Sequence, residues 1–312
     1  MRPTEGAGAP RAALGDHEAG ERLKGIALVC GAATVFTGLD SSAKYEGMHG
    51  IPTLQIVWTR YALSLVVAAF LLKPWQNPGM FRTRRPVAQA IRAAFLLGVT
   101  ITNFIAVQHL QLSQTISISF AAPLFVTLLA GPLLGEWAGP RRWAAVVAGF
   151  IGVLIVVQPE PGAFQPWALF SVGTAVGNAG YALTTRMLSA TESPGSMLIY
   201  GSLFSAIVLT PALPFFVLPS SGWVVFALCL TGITGGVGHW LIILGNRRAP
   251  ATLLAPFSYV QLLSMIVSGY FIFGDVPKAS TLLGAVIIIA SGLYVLYHER
   301  RRTEFIGGGK EP

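Results

Sequence analysis

The amino-acid sequence predicts an all-α integral membrane protein with ten transmembrane helices, arranged as two inverted five-helix repeats around a central cavity. Only 11% of the 312 residues are charged and 53% are hydrophobic, and the mean hydropathy is +0.64. A soluble domain is roughly a quarter charged, so most of this chain must face lipid. Apolar runs of transmembrane length and a one-sided distribution of basic residues indicate the same fold class.

Ten apolar segments, bounded by prolines, glycines and charged clusters, approach the roughly 20 residues that cross the hydrocarbon core of a bilayer. The first repeat is predicted over residues 24–158 and the second over residues 165–298. Residues 1–23 lack an apolar core and predict a disordered cytoplasmic tail, and residues 299–312 predict a basic cytoplasmic tail. The ten segments start near Lys24, Pro52, Gln89, Leu112, Arg142, Gln165, Pro194, Trp223, Pro250 and Ala279.

The basic residues determine the predicted orientation, because lysine and arginine are enriched in the cytoplasmic loops of membrane proteins. With the N-terminus inside, all 21 Lys and Arg residues except Lys44, Lys278 and Arg60 fall on the cytoplasmic side. Arg92 is counted there, with the basic cluster before the third helix. The pattern predicts a multi-pass protein of the bacterial inner membrane with both termini in the cytoplasm.

The two halves of the chain align with each other. Gly31, Gly38, Lys44 and Pro52 fall on Gly173, Gly180, Arg186 and Pro194, each 142 residues later. Gly135 and Glu136 fall on Gly274 and Asp275 with an offset of 139. A repeat of five helices must enter the membrane from the opposite face in its second copy, which gives the inverted architecture of many secondary transporters.

The segment LSQTISISFAAPLFVTLLAGPLLGE, from Leu112 to Glu136, resembles the fourth helix of EamA-domain transporters in the drug/metabolite transporter superfamily. Gly149 and Gly152 follow it in the next helix. The second copy, APATLLAPFSYVQLLSMIVSGYFIFGD, ends at Asp275 where the family usually has Glu. Among the members, the chain most resembles bacterial amino acid exporters of the aromatic amino acid type. The resemblance implies alternating access through a cavity between the first, third, fourth, sixth, eighth and ninth helices.

Ionisable groups within a membrane are costly and are functional candidates by default. Asp40 is predicted to be the only intramembrane carboxylate, with Glu46 assigned to a helix end. Asp40 either pairs with Lys44 one turn later or faces the cavity and accepts a substrate ammonium or a proton. Arg60 either binds a substrate carboxylate or forms a structural or gating ion pair. His239 either titrates near neutral pH and couples transport to protons or packs as a hydrogen-bonded core residue.

Polar and aromatic residues on otherwise apolar helices complete the predicted site. Ser113, Gln114, Ser117 and Phe120 share one helix face, and Pro123 and Pro256 are expected to interrupt their helices. The substrate-binding prediction comprises Asp40, Asn103, Ser113, Gln114, Ser117, Phe120, Asn178, Tyr181, His239, Trp240 and Tyr259. The gating or structural prediction comprises Lys44, Arg60, Pro123, Glu136, Pro256 and Asp275.

These features favour a secondary transporter that exports amino acids, with broad specificity, and related metabolites. The alternative within the superfamily is a carrier of drugs, quaternary cations or other metabolites. A carrier of phosphorylated metabolites is disfavoured, because it needs several intramembrane cations and only Arg60 is predicted. A membrane enzyme acting on lipid would need clustered catalytic groups, and the histidines are scattered. We expect no catalytic residue, cofactor, metal or nucleic-acid partner, and the sequence is compatible with a monomer in the lipid bilayer.

Overall fold

The computed structural model describes residues 9–73, 75–76, 78–134, 139–158, 165–189, 191–249 and 251–307. Within these ranges the regular secondary structure is entirely helical. The helices of the first half are α1 (Ala9–Met48), α2 (Thr53–Leu72), α3 (Pro86–His109), α4 (Leu112–Ser119), α5 (Ala122–Leu134) and α6 (Pro140–Val157). Those of the second half are α7 (Ala168–Leu188), α8 (Pro194–Leu209), α9 (Gly222–Arg248), α10 (Ala251–Leu254), α11 (Val260–Phe273) and α12 (Ala279–Gly307).

The helices confirm the predicted all-α membrane class. Among the described residues, seven helical stretches are long and apolar enough to cross a membrane. Two shorter apolar helices cover Trp143–Val157 and Ala279–Tyr294. The 21-residue helix α7 lies outside both groups. Helices begin within a few residues of each predicted segment start except the first, but the count of ten membrane crossings stays a prediction.

Both predicted tails differ from the structure. Helix α1 begins at Ala9, and α12 continues to Gly307, so most residues of both tails extend a transmembrane helix. The sequence of these extensions is rich in Ala, Glu and Arg, which have high helix propensity. Near the start of the apolar part of α1, Glu21 pairs with Lys24 at 2.7 Å and with Arg248 of α9 at 3.5 Å. The Glu21–Arg248 pair joins the extended helix to its neighbour, and the Glu21–Lys24 pair lies within α1.

Two of the predicted segments are broken next to their prolines. Helix α4 ends at Ser119, and Pro123 lies in the first turn of α5. In the second half, the 3₁₀ segment Ala255–Tyr259, which contains Pro256, separates α10 from α11. Proline removes a backbone donor and clashes with the preceding turn. The rings of Phe120 and Tyr259 pack edge to face with centroids 4.7 Å apart, so the two breaks contact each other.

The helix packing follows the repeat. Helix α1 packs along α9, and its counterpart α7 packs along α3; likewise α1 contacts α11 while α7 contacts α4 and α5. The pairs α2–α8 and α6–α12 each join equivalent helices of the two halves. In the last pair, a Cβ atom on Gly284 would lie 2.6 Å from the carbonyl oxygen of Gly152. Small residues permit this close backbone approach, and every major interface therefore joins one repeat to the other or repeats an equivalent contact.

Candidate functional site

A small, partly enclosed cavity lined by several charged and polar side chains lies within the bundle, between α2, α3, α7, α8 and α9. We call it the polar cavity. Its volume of about 20 Å³ leaves room for little more than one water molecule. Compared with the expected cavity, it uses α2 and α8 in place of the first, fourth and ninth predicted segments. Its lining comprises Arg60, Tyr61, Ser64, Arg92, Leu96, Tyr181, Met197, Leu198, Ser202 and His239.

Arg92 is the functional candidate that the sequence reasoning missed. It was counted with the basic cluster before the third helix, but it lies six residues after the start of α3, about 9 Å into the helix, and is 4% exposed. Its guanidinium donates to Thr185 Oγ1 at 2.8 Å, to the carbonyl of Met197 at 2.9 Å and to Tyr181 Oη at 2.6 Å. In the sequence, Pro86 marks the start of this helix and so indicates that Arg92 lies inside it.

All of these partners of Arg92 are neutral. The guanidinium also lies over the ring of Tyr181, 4.6 Å from the ring centroid, and no acidic side chain of the described chain forms an ion pair with it. A buried cation in a membrane protein normally pairs with a counter-charge. Arg92 therefore presents an uncompensated positive charge at the wall of the polar cavity.

Arg60 lies on the other side of the cavity, on α2. It donates to Thr100 Oγ1, which also contacts Tyr61 Oη at 2.6 Å. A close approach of α9 holds Arg60 in place, because a Cβ atom on Gly235 would lie 3.2 Å from Arg60 Nε and 2.9 Å from Ser64 Oγ. The glycine thus lets α9 lie directly against the guanidinium.

Asp40 of α1 is buried beside Arg60. Asn103 Nδ2 donates to Asp40 Oδ1 at 2.7 Å, and Arg60 is close enough to attract the carboxylate electrostatically. The structure does not contain the Asp40–Lys44 pair that the sequence left open. Lys44 Nζ instead binds Asp275 Oδ2 at 2.6 Å. Asp40 and Arg60 therefore attract each other at a distance, and the two side chains form no direct ion pair.

The Lys44–Asp275 ion pair lies at the end of the bundle where α1 ends. Lys44 also donates to the carbonyl of Leu110 at 3.0 Å and lies 4.8 Å from the ring centroid of Phe273. The same residues line a second, more open pocket of about 260 Å³, which includes Gln108, Gln111, Gln114 and Lys278. One lysine thus connects α1, α3 and the segment after α11.

Glu46 is a second buried carboxyl group on α1, so the prediction that Asp40 is the only one is wrong. Its side chain is fully buried although it lies two residues before the helix end. Thr231 of α9 donates to Glu46 Oε1. The other oxygen, Oε2, has no hydrogen-bond partner. A residue near a helix end is buried here because α9 extends past it.

The other predicted residues are distributed around the bundle. Ser117 is fully buried and donates to the carbonyl of Ser113 in its own helix at 2.6 Å, and Gln114 donates to the carbonyl of Val156 at 3.4 Å. This face of α4 therefore packs within the protein. Asn178 and Trp240 are partly buried and do not line the polar cavity. Glu136 lies outside the described residues.

His239 lines the polar cavity. Its ring packs edge to face against Phe36, with centroids 5.2 Å apart. The buried Nε2 atom has no hydrogen-bond partner. It therefore offers a free polar atom beside the two arginines.

A carboxylate also joins the two loops at the opposite end of the bundle. Glu192, between α7 and α8, accepts hydrogen bonds from Thr83 Oγ1 and the backbone N–H of Arg84, each at 2.9 Å, and from Gln89 at 3.5 Å. Burial raises its pKa, but the hydrogen bonds from Arg84, Thr83 and Gln89 outweigh burial and hold the pKa below its usual range. The ionised carboxylate thus stabilises the contact between the loops before α3 and α8.

The fold and the cavity define a class: a polytopic membrane protein whose two similar halves enclose a charged site. The chain belongs to the EamA-like transporter family, whose model matches residues 23–158 and 165–297. This match confirms the family that the sequence motifs indicated. The family and its relatives are transporters, which agrees with a function other than enzymatic catalysis.

Several characterised transporters are similar over most of the chain. The riboflavin transporter of Vibrio cholerae is 28% identical, over 90% of this chain and 95% of its own. The S-adenosylmethionine uptake transporter of Rickettsia prowazekii is 30% identical, over 84% and 88%, and the pseudopaline exporter of Pseudomonas aeruginosa is 23% identical, over 86% and 94%. A crystal structure that is 18% identical aligns with a TM-score of 0.60 over 91% and 98%, and it shows the fold alone. These names do not support amino acid export specifically.

Proposed function

We propose that this protein is a secondary transporter that moves a small metabolite with an α-amino-acid head group across the membrane by alternating access. The observation that carries the proposal is Arg92, a buried guanidinium with only neutral partners at the wall of the polar cavity. The polar cavity is the binding site in a closed state. Opening it admits the solute from one side of the membrane at a time.

The charges around the cavity suit a zwitterion. Arginine binds a carboxylate through two parallel N–H donors, and a bound carboxylate would supply the counter-charge that Arg92 lacks. Asp40 lies beside Arg60 and is the nearby acceptor for an ammonium group. The carboxylate of such a solute would pair with Arg92, and its ammonium group would approach Asp40.

The charges around the cavity favour S-adenosylmethionine and amino acids over the other candidates. S-adenosylmethionine carries a carboxylate and an ammonium on its methionine part, and one similar transporter is named for its uptake. A quaternary cation without an acidic group is disfavoured, because Arg92 would repel it. A phosphorylated metabolite is no longer disfavoured for want of cations, since Arg60 and Arg92 both line the cavity. The direction of transport, export or uptake, is left to the assay.

The transport experiment uses the purified protein in liposomes. Labelled S-adenosylmethionine, an aromatic amino acid and riboflavin are tested for uptake against empty liposomes. We expect S-adenosylmethionine or the amino acid to accumulate and Arg92→Gln to reduce that transport at least about tenfold, because a hydrogen bond to a charged group contributes roughly 1.5–3 kcal/mol. The matched control is Arg247→Gln, at an exposed position near the end of α9.

Two results would refute the proposal. One is the absence of uptake of every solute that carries both a carboxylate and an ammonium. The other is an Arg92→Gln variant that folds, by its elution profile and helix content, and transports like the wild type. Riboflavin uptake with unchanged rates in Arg92→Gln would assign the chain to a different substrate class.

We also propose ten transmembrane segments with both termini in the cytoplasm and the second repeat inverted. The broken pairs α4–α5 and α10–α11 each count as one segment in this topology, and α7 and the shorter apolar stretches of α6 and α12 count as three more. Single cysteines at Arg82 and Lys278, in a background without Cys30 and Cys229, test it with an impermeant thiol reagent on whole cells. We expect labelling at position 278 alone, and labelling of both would contradict the topology.

A further inference from the structure

The carboxyl group of Glu46 is buried without a counter-charge. The side chain is fully buried between α1 and α9, Thr231 donates to one oxygen, and the other oxygen has no partner. Asp40, by contrast, receives a hydrogen bond from Asn103 and faces Arg60. The two acidic groups on α1 are therefore in different electrostatic environments.

The other titratable groups near Glu46, on α1 and on the helices that pack against it, are engaged elsewhere. None of them forms a hydrogen bond or ion pair with Glu46 among the described residues. Three of these groups have polar partners: Lys44 binds Asp275, Arg60 binds Thr100, and Tyr61 binds Thr100 and the carbonyl of Leu96. The others pack against aromatic rings, in the pairs Tyr45–His49, His109–Trp167, His239–Phe36, Tyr259–Phe120 and Tyr270–Phe271.

An ionised carboxylate in this position would be unpaired in a low-dielectric interior. Such a group costs several kcal/mol or more, whereas a neutral carboxylic acid costs only the burial of a polar group. The acid form also has a donor and an acceptor, which fits a site with one hydroxyl partner, Thr231. A proton is the ligand that neutralises Glu46 in the conformation observed.

The position of Glu46 connects this proton to transport. Helix α1 belongs to the first repeat and α9 to the second, so the Glu46–Thr231 bond crosses the interface between the repeats. Alternating access moves one repeat or bundle against the other. A movement at this interface changes the burial of Glu46 and lets water reach it.

The other buried charges of the described residues have different surroundings. Lys44 pairs with Asp275 and Glu192 accepts hydrogen bonds from Thr83 and Arg84, whereas Arg92 and Glu46 have no charged partner. An anionic group of the substrate neutralises Arg92, and a proton neutralises Glu46. We infer that Glu46 is a proton-binding site and that its proton is carried or exchanged together with the substrate. The coupling rests on the proposed function, whereas the proton site itself does not.

Infrared spectroscopy tests the proton site without any substrate. The reconstituted wild-type protein at neutral pH should show a carboxylic-acid carbonyl band that shifts in D₂O. We expect Glu46→Gln, which has the shape of the neutral acid, to lose this band, and Thr231→Val to shift its frequency. Asp40→Asn is a control for the infrared measurement only, and its spectrum should retain the carboxylic-acid band. A spectrum unchanged by Glu46→Gln, or a band lost in Asp40→Asn, overturns the assignment.

Transport with a pH gradient tests the coupling. Labelled S-adenosylmethionine uptake into liposomes should be stimulated by an inside-alkaline gradient in the wild type. In Glu46→Gln we expect this stimulation to be lost, while exchange of labelled for unlabelled solute continues. Stimulation that persists in Glu46→Gln overturns the coupling. If no solute is transported, the proposed function fails, and the infrared result still decides whether Glu46 binds a proton.

Discussion

The ion pair between Lys44 and Asp275 allows a quantitative test of the structure. At an Nζ–Oδ2 distance of 2.6 Å, the gross attraction is about 6 kcal/mol for an effective dielectric constant of about 20. Desolvation of the two ions offsets most of it. The side chains of Lys44 and Asp275 remain 10% and 23% exposed, so the net coupling should lie between that of an exposed pair and a buried one, at about 1–3 kcal/mol.

A double-mutant cycle measures this coupling. The free energy of unfolding is determined in mixed micelles by detergent titration for the wild type, Asp275→Asn, Lys44→Met and the double variant. For each contact that it removes, Asp275→Asn should lower the free energy of unfolding more than Lys44→Met does. It leaves Lys44 with the carbonyl of Leu110 and no counter-charge. The double variant should be less destabilised than the sum of the single variants by about 1–3 kcal/mol.

The control for this cycle is Lys278→Met, since Lys278 lines the same pocket but is exposed. Its effect should stay within about 0.5 kcal/mol. If the effects of the Lys44 and Asp275 variants add within about 0.5 kcal/mol, the two side chains are not coupled. The assignment of this ion pair as a link between α1, α3 and the end of α11 would then be refuted.

Two further predictions concern single positions. Gly235→Ala should destabilise the protein by about 1–3 kcal/mol and impair transport, because its Cβ atom would displace Ser64 or Arg60. The control is Gly31→Ala, since the nearest atom to its Cβ would lie at an ordinary contact distance of 3.9 Å. This control should change stability by less than about 0.5 kcal/mol. Glu192→Gln should cost about 1–2 kcal/mol at neutral pH, measured by thermal unfolding. Since the pKa of Glu192 is lowered in the folded protein, its stabilisation is present above the usual glutamate range and is lost as the pH falls through the folded value. A difference from wild type that persists in acid would contradict this reasoning.

The sequence predicts the helical class and the family well, because hydropathy, basic clusters and glycine motifs are local features. Side-chain partners are determined by tertiary packing and were harder to predict. Lys44 is one turn from Asp40, yet it pairs with Asp275, 231 residues away. Arg92 and Glu46 lie close to helix ends in sequence, and their burial depends on contacts with α7, α8 and α9. No pattern within their own helices reports those contacts.

The contact between Phe120 and Tyr259 has a mechanical consequence. Each ring lies where a membrane helix is interrupted, so each helix has lost backbone hydrogen bonds at that level and bends most easily there. Because the two flexible points touch, a bend in one half of the protein pushes directly on the weakest point of the other. The two halves therefore bend about one shared contact, the Phe120–Tyr259 pair.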